Sequence, residues 1–372
     1  MKFHFSIVLP LLFVCLFCFG NCFAQKIRYD IDKKRIAPLP FEIEAYLKER
    51  NLNLTVGISV IKFDRYKNNG GFERVYSNTI DNKSTDKKGA EKFPTMSVYK
   101  FHLALAVLSQ VDEGKFKLNE KLIIQKSDIL ENTYSPLRED LKKEHKGNYE
   151  AELQKGVSIP LTELLSYMVS KSDNNACDIL FRLLGGENYI EKYQYKRPLL
   201  EAKLIQNRKR YNQKGVQKTN NFIKKLGLKN TTIAASEEKM HEDFQNQYLN
   251  TTTPLDATLL LRHFYKGNIL KKETHDFLWK ILVETQTGSN KIKAGLPQSE
   301  NIVLGHKTGS SFRKKIEGKE FGLKAAENDI GIVETPNSTY AIAIFIKNST
   351  ESNEINAGLI EELSKKVFEA IH

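Results

Sequence analysis

A serine and a lysine in the first third of the chain have the types and spacing of a nucleophile and its base. Ser97 is followed three positions later by Lys100, and the pair opens the apolar segment FHLALAVL. On the first turn of a helix these positions share a face, so the lysine ammonium reaches the serine hydroxyl. A desolvated lysine is a base that activates such a hydroxyl. Ser59, Ser84, Ser236 and Ser311 also have a lysine three positions later, but their strand-like or loop-like surroundings favour a nucleophile and base less than the helix start at Ser97 does.

A second polar group is Ser172-Asp173-Asn174, between the apolar-periodic segments PLTELLSYMV and ACDILFRLLGG. Taken alone, such a cluster is typical of a turn whose side chain caps the next helix. Its functional alternative is a hydroxyl that relays a proton and an amide that holds a substrate carbonyl. The sequence alone leaves both open.

A third group is Lys307-Thr308-Gly309, at the end of an apolar strand pattern. A cation and a hydroxyl on one strand, with a glycine that allows close approach to the backbone, suit an acyl substrate carrying a carboxylate. The alternative is a strand that ends in a turn. We expect the backbone N–H groups of Ser97 and Ser310 to form an oxyanion hole.

The elements that must position these groups follow from the hydrophobic periodicity. Helical periods occur near both ends, at FEIEAYLKERN and NEINAGLIEELSKKVFEAI, and in the middle at HLALAVLSQV, PLTELLSYMV, ACDILFRLLGG and PLDATLLLRHF. Strand patterns occur at 54–77, 301–311 and 328–348, the first and last as antiparallel hairpins. Strands at both ends of the chain predict one antiparallel sheet flanked by the terminal helices. The predicted fold class is therefore α/β (α+β), with the sheet in one lobe (25–93 and 285–372), an all-α lobe (94–284), and the site between them.

Together and in this order, S-x-x-K, S-D-N and K-T-G resemble the signature of class A β-lactamases and penicillin-binding proteins. The resemblance runs from about residue 54 to the C-terminus. It implies a serine hydrolase without cofactor that opens β-lactams through an acyl-enzyme on Ser97. Lys100 and Ser172 would then move protons, Asn174 would hold the acylamide side chain, and the substrate carboxylate would be bound by Lys307, Thr308 and Gly309.

A fourth feature distinguishes the branches of this superfamily. Class A enzymes carry a loop glutamate that orients the deacylating water, usually with an asparagine four residues later, and Glu237 and His241 have that spacing. Histidine in that place is similar to the PER-type extended-spectrum group. Glu238 is the alternative register for the carboxylate. A glutamate that holds and deprotonates water supplies general-base catalysis.

Other positions match the family more loosely. Tyr134 resembles the aromatic residue at the mouth of the family's cleft. Lys291 lies where the family often has an arginine near the substrate carboxylate, and lysine does not replace arginine in bidentate binding. Residues 191–220 hold nine Lys or Arg and two Glu, a local net charge of +7, as an insertion. We expect this insertion to bulge from the surface, with an anionic-polymer site as the alternative.

Residues 1–24 have the layout of a cleaved secretory signal: Lys2, an apolar run and a final Ala24. A retained anchor, or lipidation at Cys22, is the alternative to a periplasmic protein. Cleavage would leave Cys177 as the one cysteine, without a disulfide. The mature chain has no H-E-x-x-H and no cysteine pair, so no metal site is predicted. We expect a monomer without a nucleic-acid partner and without stable membrane insertion.

The 372 residues contain 27% charged and 10% aromatic residues, which argues against wholesale disorder and coiled coil. The net charge of +12 is the one unusual value of the composition. Most of this excess charge falls in the insertion. The predicted function is hydrolysis of penicillins and cephalosporins, giving antibiotic resistance. The alternatives are a penicillin-binding DD-peptidase and a non-catalytic β-lactam sensor or binding protein.

Overall fold

The computed structural model describes residues 39–50, 52–63, 74–81, 91–187, 201–299 and 301–372, all within the unit Ile31–His372. The predicted signal segment, Cys22 and the first part of the basic insertion lie outside the described residues. Helices occupy Leu39–Arg50 (α1), Tyr99–Asp112 (α2), Pro136–Glu144 (α3), Tyr149–Lys155 (α4), Leu161–Val169 (α5), Asn174–Gly185 (α6), Glu201–Lys225 (α7), Glu237–Glu242 (α8), Pro254–Tyr265 (α9), Lys272–Val283 (α10) and Asn353–Ile371 (α11).

Strands occupy Thr55–Phe63 (β1), Arg74–Asp81 (β2), Phe93–Pro94 (β3), Lys121–Ile124 (β4), Val157–Pro160 (β5), Thr251–Thr252 (β6), Val303–Ser310 (β7), Arg313–Lys314 (β8), Leu323–Glu334 (β9) and Thr339–Ser349 (β10). The main sheet has the antiparallel order β2-β1-β10-β9-β7, with β8 added on β9. Strand β1 pairs with β10 along its whole length. The prediction that strands from the two ends of the chain form one antiparallel sheet is therefore confirmed.

The alternation of side chains along β10 divides the interior into two cores. Ile342, Ile344 and Ile346 face the helices α1 and α11, whereas Ala343 and Phe345 face the helical part of the molecule. This is the period-two pattern expected of a strand that is buried on both faces. The sheet thus has a helical layer on each side, and the edge strand β7 leads to the site.

Helix α2 runs through the interior, with every residue from Tyr99 to Leu108 buried. A short 3-10 turn, Met96–Val98, precedes it and carries Ser97. Helices α5, α6 and α9 form where the apolar periodicity predicts them. Within the described part of the chain, no helix is both long and apolar enough to cross a membrane.

The basic insertion differs from its prediction. From residue 201 to 220 it forms part of α7, and this helix packs along α6 instead of bulging outward. The contact is so close that a Cβ at Gly215 would overlap the Phe181 carbonyl oxygen, and one at Gly185 would overlap the Tyr211 carbonyl oxygen. Glycine is required there because the two backbones approach without room for side chains. Of the basic residues described in this part of α7, Lys209, Arg210, Lys214 and Lys218 are exposed, whereas Arg208 is partly buried against Glu238.

Candidate active site

A cavity of about 320 Å³ opens between the start of α2, the α5–α6 turn, α8 and the end of β7. Most of the predicted site residues line it: Ser97, Tyr134, Ser172, Asn174, Glu237, His241, Thr308, Gly309 and Ser310. The remaining two, Lys100 and Lys307, are fully buried behind its wall. The structure therefore brings all four sequence motifs to one place.

The segment that carries Ser97 is fixed from the sheet side. The side-chain amide of Asn328 on β9 donates to the backbone oxygens of Pro94 and Thr95, at 2.8 and 3.1 Å. Met96, directly before the serine, has a φ of 44°. A non-glycine residue in the left-handed region is held there by its surroundings, and such residues cluster at functional sites. Ser97 itself is partly exposed to the cavity.

The buried ammonium of Lys100 has three oxygen partners. It donates to the Ser172 carbonyl at 2.7 Å and to the Asn174 Oδ1 at 2.5 Å, and its Nζ lies 3.1 Å from the Glu237 Oε1. A buried charge is tolerated only when it is paired and hydrogen-bonded, and these contacts meet that requirement. Lys100 thus joins the turn before α6 to the loop that carries Glu237.

Ser172 lies between the two buried lysines. Its hydroxyl accepts a hydrogen bond from Lys307 Nζ at 2.9 Å, and its carbonyl accepts from Lys100. Its φ of 59° places it in the left-handed region, a second strained residue at the site. Burial holds the pKa of Lys307 well below its usual range, and the nearby Lys100 charge lowers it further.

Asp173 and Asn174 have different roles in the structure. Asp173 caps α6 by accepting from the Ala176 amide, and its carboxylate also accepts from the Leu137 amide and the Ser135 hydroxyl. The helix cap that the sequence offered is therefore present at Asp173, while Ser172 and Asn174 line the cavity. The Asn174 side chain accepts from Lys100 through Oδ1 and donates to the Thr133 hydroxyl through Nδ2, and its backbone N–H donates to the Tyr134 carbonyl.

Of the two carboxylates that the sequence left open, Glu237 is the one beside Lys100. Glu238 instead pairs with Arg208 on α7, at 2.8 Å. The start of α8 is held through its backbone: the amides of both glutamates donate to the Asp178 carboxylate on α6, each at 2.9 Å. Burial raises the pKa of Asp178 to about 6, and the Arg182 charge opposes this rise.

His241 is tied to Glu237 as the four-residue spacing predicts. Its Nδ1 lies 2.8 Å from the Glu237 backbone oxygen and 3.9 Å from the carboxylate Oε2. Its ring also lies against Phe312, at 6.1 Å between centroids. Phe312 is exposed, lines the cavity and contacts Phe244, so it forms a wall that the sequence analysis did not identify.

The strand β7 supplies the opposite wall. The Thr308 hydroxyl is hydrogen-bonded to the Thr287 hydroxyl at 2.6 Å. At Gly309 a Cβ would lie 2.6 Å from the Thr95 carbonyl and 3.1 Å from the Ser97 amide nitrogen. This glycine allows β7 to approach the turn that carries Ser97, whereas the sequence predicted a glycine that lets a substrate approach the backbone. Lys291 also lines the cavity, although its ammonium is directed elsewhere.

Several residues that build the site were not found from the sequence. Asn328, Asp178, Thr133 and Thr287 each hold a predicted site residue or its backbone through one or two hydrogen bonds. They lie far along the chain from the residues they support, on other elements. For Asn328 in β9 and Asp178 in α6, the sequence signal is a polar residue within an apolar pattern.

Comparison with known proteins agrees with the geometry. The model of the "Beta-lactamase enzyme family" matches residues 60–214 and 211–371. β-Lactamase VEB-1 of Pseudomonas aeruginosa is 36% identical over 276 residues, 73% of this chain and 76% of that protein. The extended-spectrum β-lactamase PER-1 of the same organism is 35% identical over 280 residues, 75% of each chain.

Solved structures show the same likeness. The TLA-1 extended-spectrum β-lactamase has a TM-score of 0.68 at 35% identity, covering 90% of this chain and 98% of that one. A class A representative from Bacteroides cellulosilyticus also reaches 0.68, at 32% identity and with 90% and 96% covered. The predicted resemblance to class A, including its extended-spectrum group, is confirmed. The chain belongs to the β-lactamase enzyme family and is a class A β-lactamase, a hydrolase.

Proposed function

We propose that the protein opens the lactam amide of penicillins and cephalosporins through an acyl-enzyme on Ser97 and so gives antibiotic resistance. One observation carries the assignment of roles. The Lys100 ammonium, buried beside the Ser97 turn, contacts both Asn174 and the Glu237 carboxylate. This arrangement supplies a proton acceptor at the nucleophile and a second one where water would attack.

Acylation begins with removal of the Ser97 proton. An ammonium has no lone pair, so Lys100 acts as a base only after it releases a proton, and the Glu237 carboxylate, 3.1 Å away, is the nearby acceptor. The alternative is a water held by Glu237 that takes the serine proton directly. Both routes deliver the proton to the same carboxylate. The serine oxygen then bonds to the lactam carbonyl carbon, with the Ser97 and Ser310 N–H groups stabilising the oxyanion.

Cleavage of the ring amide requires a proton on the leaving nitrogen. Ser172 is suited to donate it, because its hydroxyl is hydrogen-bonded to Lys307, which can replace the proton. A lysine whose pKa is lowered by burial gives up a proton more readily than an exposed one. Lys307 and Thr308 also hold the substrate carboxylate, and Asn174 and Tyr134 face the acylamide side chain.

Deacylation needs an activated water. After acylation Glu237 must release the proton that it received, and Lys307 must regain the one that it gave to Ser172. Glu237, kept in place by the Asp178 contacts to its backbone and flanked by His241, then accepts a proton from that water as it attacks the ester carbonyl. The ester bond to Ser97 breaks, and the serine oxygen recovers its proton through Lys100. This step separates a β-lactamase from a DD-peptidase, which retains the adduct.

The test is turnover of a chromogenic cephalosporin by the purified protein, with intact mass measured during the reaction. We expect steady turnover and a short-lived adduct in the wild type, and neither in a folded Ser97→Ala variant. Equal hydrolysis by Ser97→Ala would contradict the nucleophile. A lasting adduct without multiple turnover in the wild type would support the DD-peptidase or sensor alternatives.

We also propose that the protein is exported to the periplasm, with residues 1–24 removed, and acts as a monomer. The support for export is the charged start, apolar run and small terminal residue of that segment. The mass of the mature protein tests cleavage and lipidation at Cys22 together.

A further inference from the structure

Lys291 lines the cavity, as do Thr287 and Thr308, but its ammonium is paired with Glu327. Its Nζ lies 2.5 Å from the Glu327 Oε1 and donates to the Asn328 carbonyl at 3.2 Å. The side chain is only 8% exposed. The ammonium is therefore turned from the cavity into the protein, toward β9.

Glu327 gathers three donors on one buried carboxylate. Besides Lys291, its Oε2 lies 2.5 Å from Lys324 Nζ and accepts from the Ser310 hydroxyl at 3.0 Å. Ser310 and Glu327 face each other in the β7–β9 ladder, so the contact is short and direct. Burial alone would raise the pKa of Glu327, but the two lysines outweigh it and lower that pKa, which keeps the carboxylate ionised.

This carboxylate has two effects on an anion bound at Thr308. It neutralises the cavity-lining cation, and it places a negative charge one residue behind the cavity wall at Ser310. Lys324 does not line the cavity, so its charge does not replace that of Lys291 there. Among the described residues that line the cavity, an incoming carboxylate thus meets the Thr287 and Thr308 hydroxyls, with Lys307 buried behind them and Lys291 paired with Glu327.

We infer that Glu327 is a specificity-determining residue: by holding Lys291 and Ser310, it weakens the affinity of the cleft for the substrate carboxylate. The inference rests on the proposed hydrolysis of β-lactams. It predicts that the enzyme depends less on the ring carboxylate than one with a free cation at this place, and that substrates are selected more through their acylamide side chain at Asn174 and Tyr134.

The test compares benzylpenicillin with its methyl ester, which lacks the ring carboxylate, in wild type and Glu327→Gln. Glutamine keeps the shape and an oxygen that accepts from Ser310, but releases Lys291. We expect KM for benzylpenicillin to fall about tenfold, which is about the value of one charge-assisted hydrogen bond, with kcat within about threefold. The KM for the ester should not change. In a Lys291→Met/Glu327→Gln double variant the gain should disappear.

The control is Glu317→Gln, which removes an exposed carboxylate from the loop before β9 and changes the net charge equally. It should leave both KM values unchanged. If Glu327→Gln does not fold, Glu327→Asp keeps the buried charge but shortens its reach to Lys291. The KM for benzylpenicillin should then also fall, while the KM for its methyl ester stays the same.

The inference is overturned if KM for benzylpenicillin stays the same, if KM for the ester falls equally, or if the gain persists without Lys291. A change in stability with unaltered KM would make Glu327 merely structural. These results differ from failure of the proposed function, in which the wild type itself would not turn over benzylpenicillin.

Discussion

Glu237→Gln separates the two halves of the proposed reaction. Glutamine has the same shape but cannot take a proton, so deacylation loses its general base. Acylation also loses its nearest proton acceptor, but Lys100 can still act as its base after releasing a proton to solvent, so the acyl-enzyme on Ser97 should accumulate. Removing a general base costs about 10²–10⁴ in rate, or about 3–5 kcal/mol in the barrier of that step. The loop itself should stay in place, because the Asp178 carboxylate holds it through the backbone amides of residues 237 and 238.

The same substitution affects stability, which must be measured separately. Lys100 loses its ionic partner and keeps the Ser172 carbonyl and the Asn174 oxygen. Breaking a buried ion pair costs up to about 3–5 kcal/mol when the remaining charge is left without partners. With two acceptors still present, we expect a smaller loss of unfolding free energy, and thermal unfolding checks that the variant is folded at the assay temperature.

The assay is intact mass spectrometry after mixing with a cephalosporin, alongside the absorbance time course. Glu237→Gln should show a burst followed by an adduct that persists for minutes. The matched control is Glu238→Gln, which changes the neighbouring carboxylate that pairs with Arg208, and it should turn over within about threefold of wild type. Rapid deacylation by Glu237→Gln, or an adduct that accumulates in Glu238→Gln instead, would refute the assignment.

Two further predictions concern the scaffold. Gly215→Ala should lower the free energy of unfolding by about 2 kcal/mol or more, because its Cβ would overlap the Phe181 carbonyl on α6. The control is Gly358→Ala in α11, which has open space around it and should be neutral or stabilising. Denaturant titrations measure both. Burial lowers the pKa of His102 to about 4, against about 6.5 in the unfolded chain. The unfolded state therefore binds the proton more readily. As the pH drops from 6.5 to 4, this histidine should lower the free energy of unfolding by about 3 kcal/mol. His102→Leu should lose that dependence; an unchanged pH profile of unfolding, relative to wild type, would contradict it.

The sequence predicted those parts of the molecule whose signals are local. The apolar periods of α2, α5, α6 and α9 each have enough buried positions to be read without the partner that covers them. Helix α7 could not be recognised in this way, because its few buried residues are spread among basic ones. Its close contact with α6 depends on Gly215 of α7 and Gly185 of α6. Helix α10 also went unpredicted.

The site shows the same division. Motif order predicted which residues meet, because each motif lies at the end of a recognisable element. The choice between Glu237 and Glu238 depended on Lys100 and Arg208, which lie on other helices. The role of Lys291 was likewise undecided, since the carboxylate that claims its charge lies on a different strand. Contacts between distant segments are therefore what a single sequence did not reveal.

The two hydrogen bonds from the backbone amides of residues 237 and 238 to Asp178 also make the attachment of the start of α8 dependent on pH. Because the pKa of Asp178 is about 6, raised by burial, its carboxylate becomes neutral just below that pH, and both amides then lose a charged acceptor at once. Their hydrogen exchange, corrected for intrinsic rates, would accelerate on acidification while that of α6 would not. The position of the proposed general base thus depends on Asp178, which is not among the residues that line the cavity.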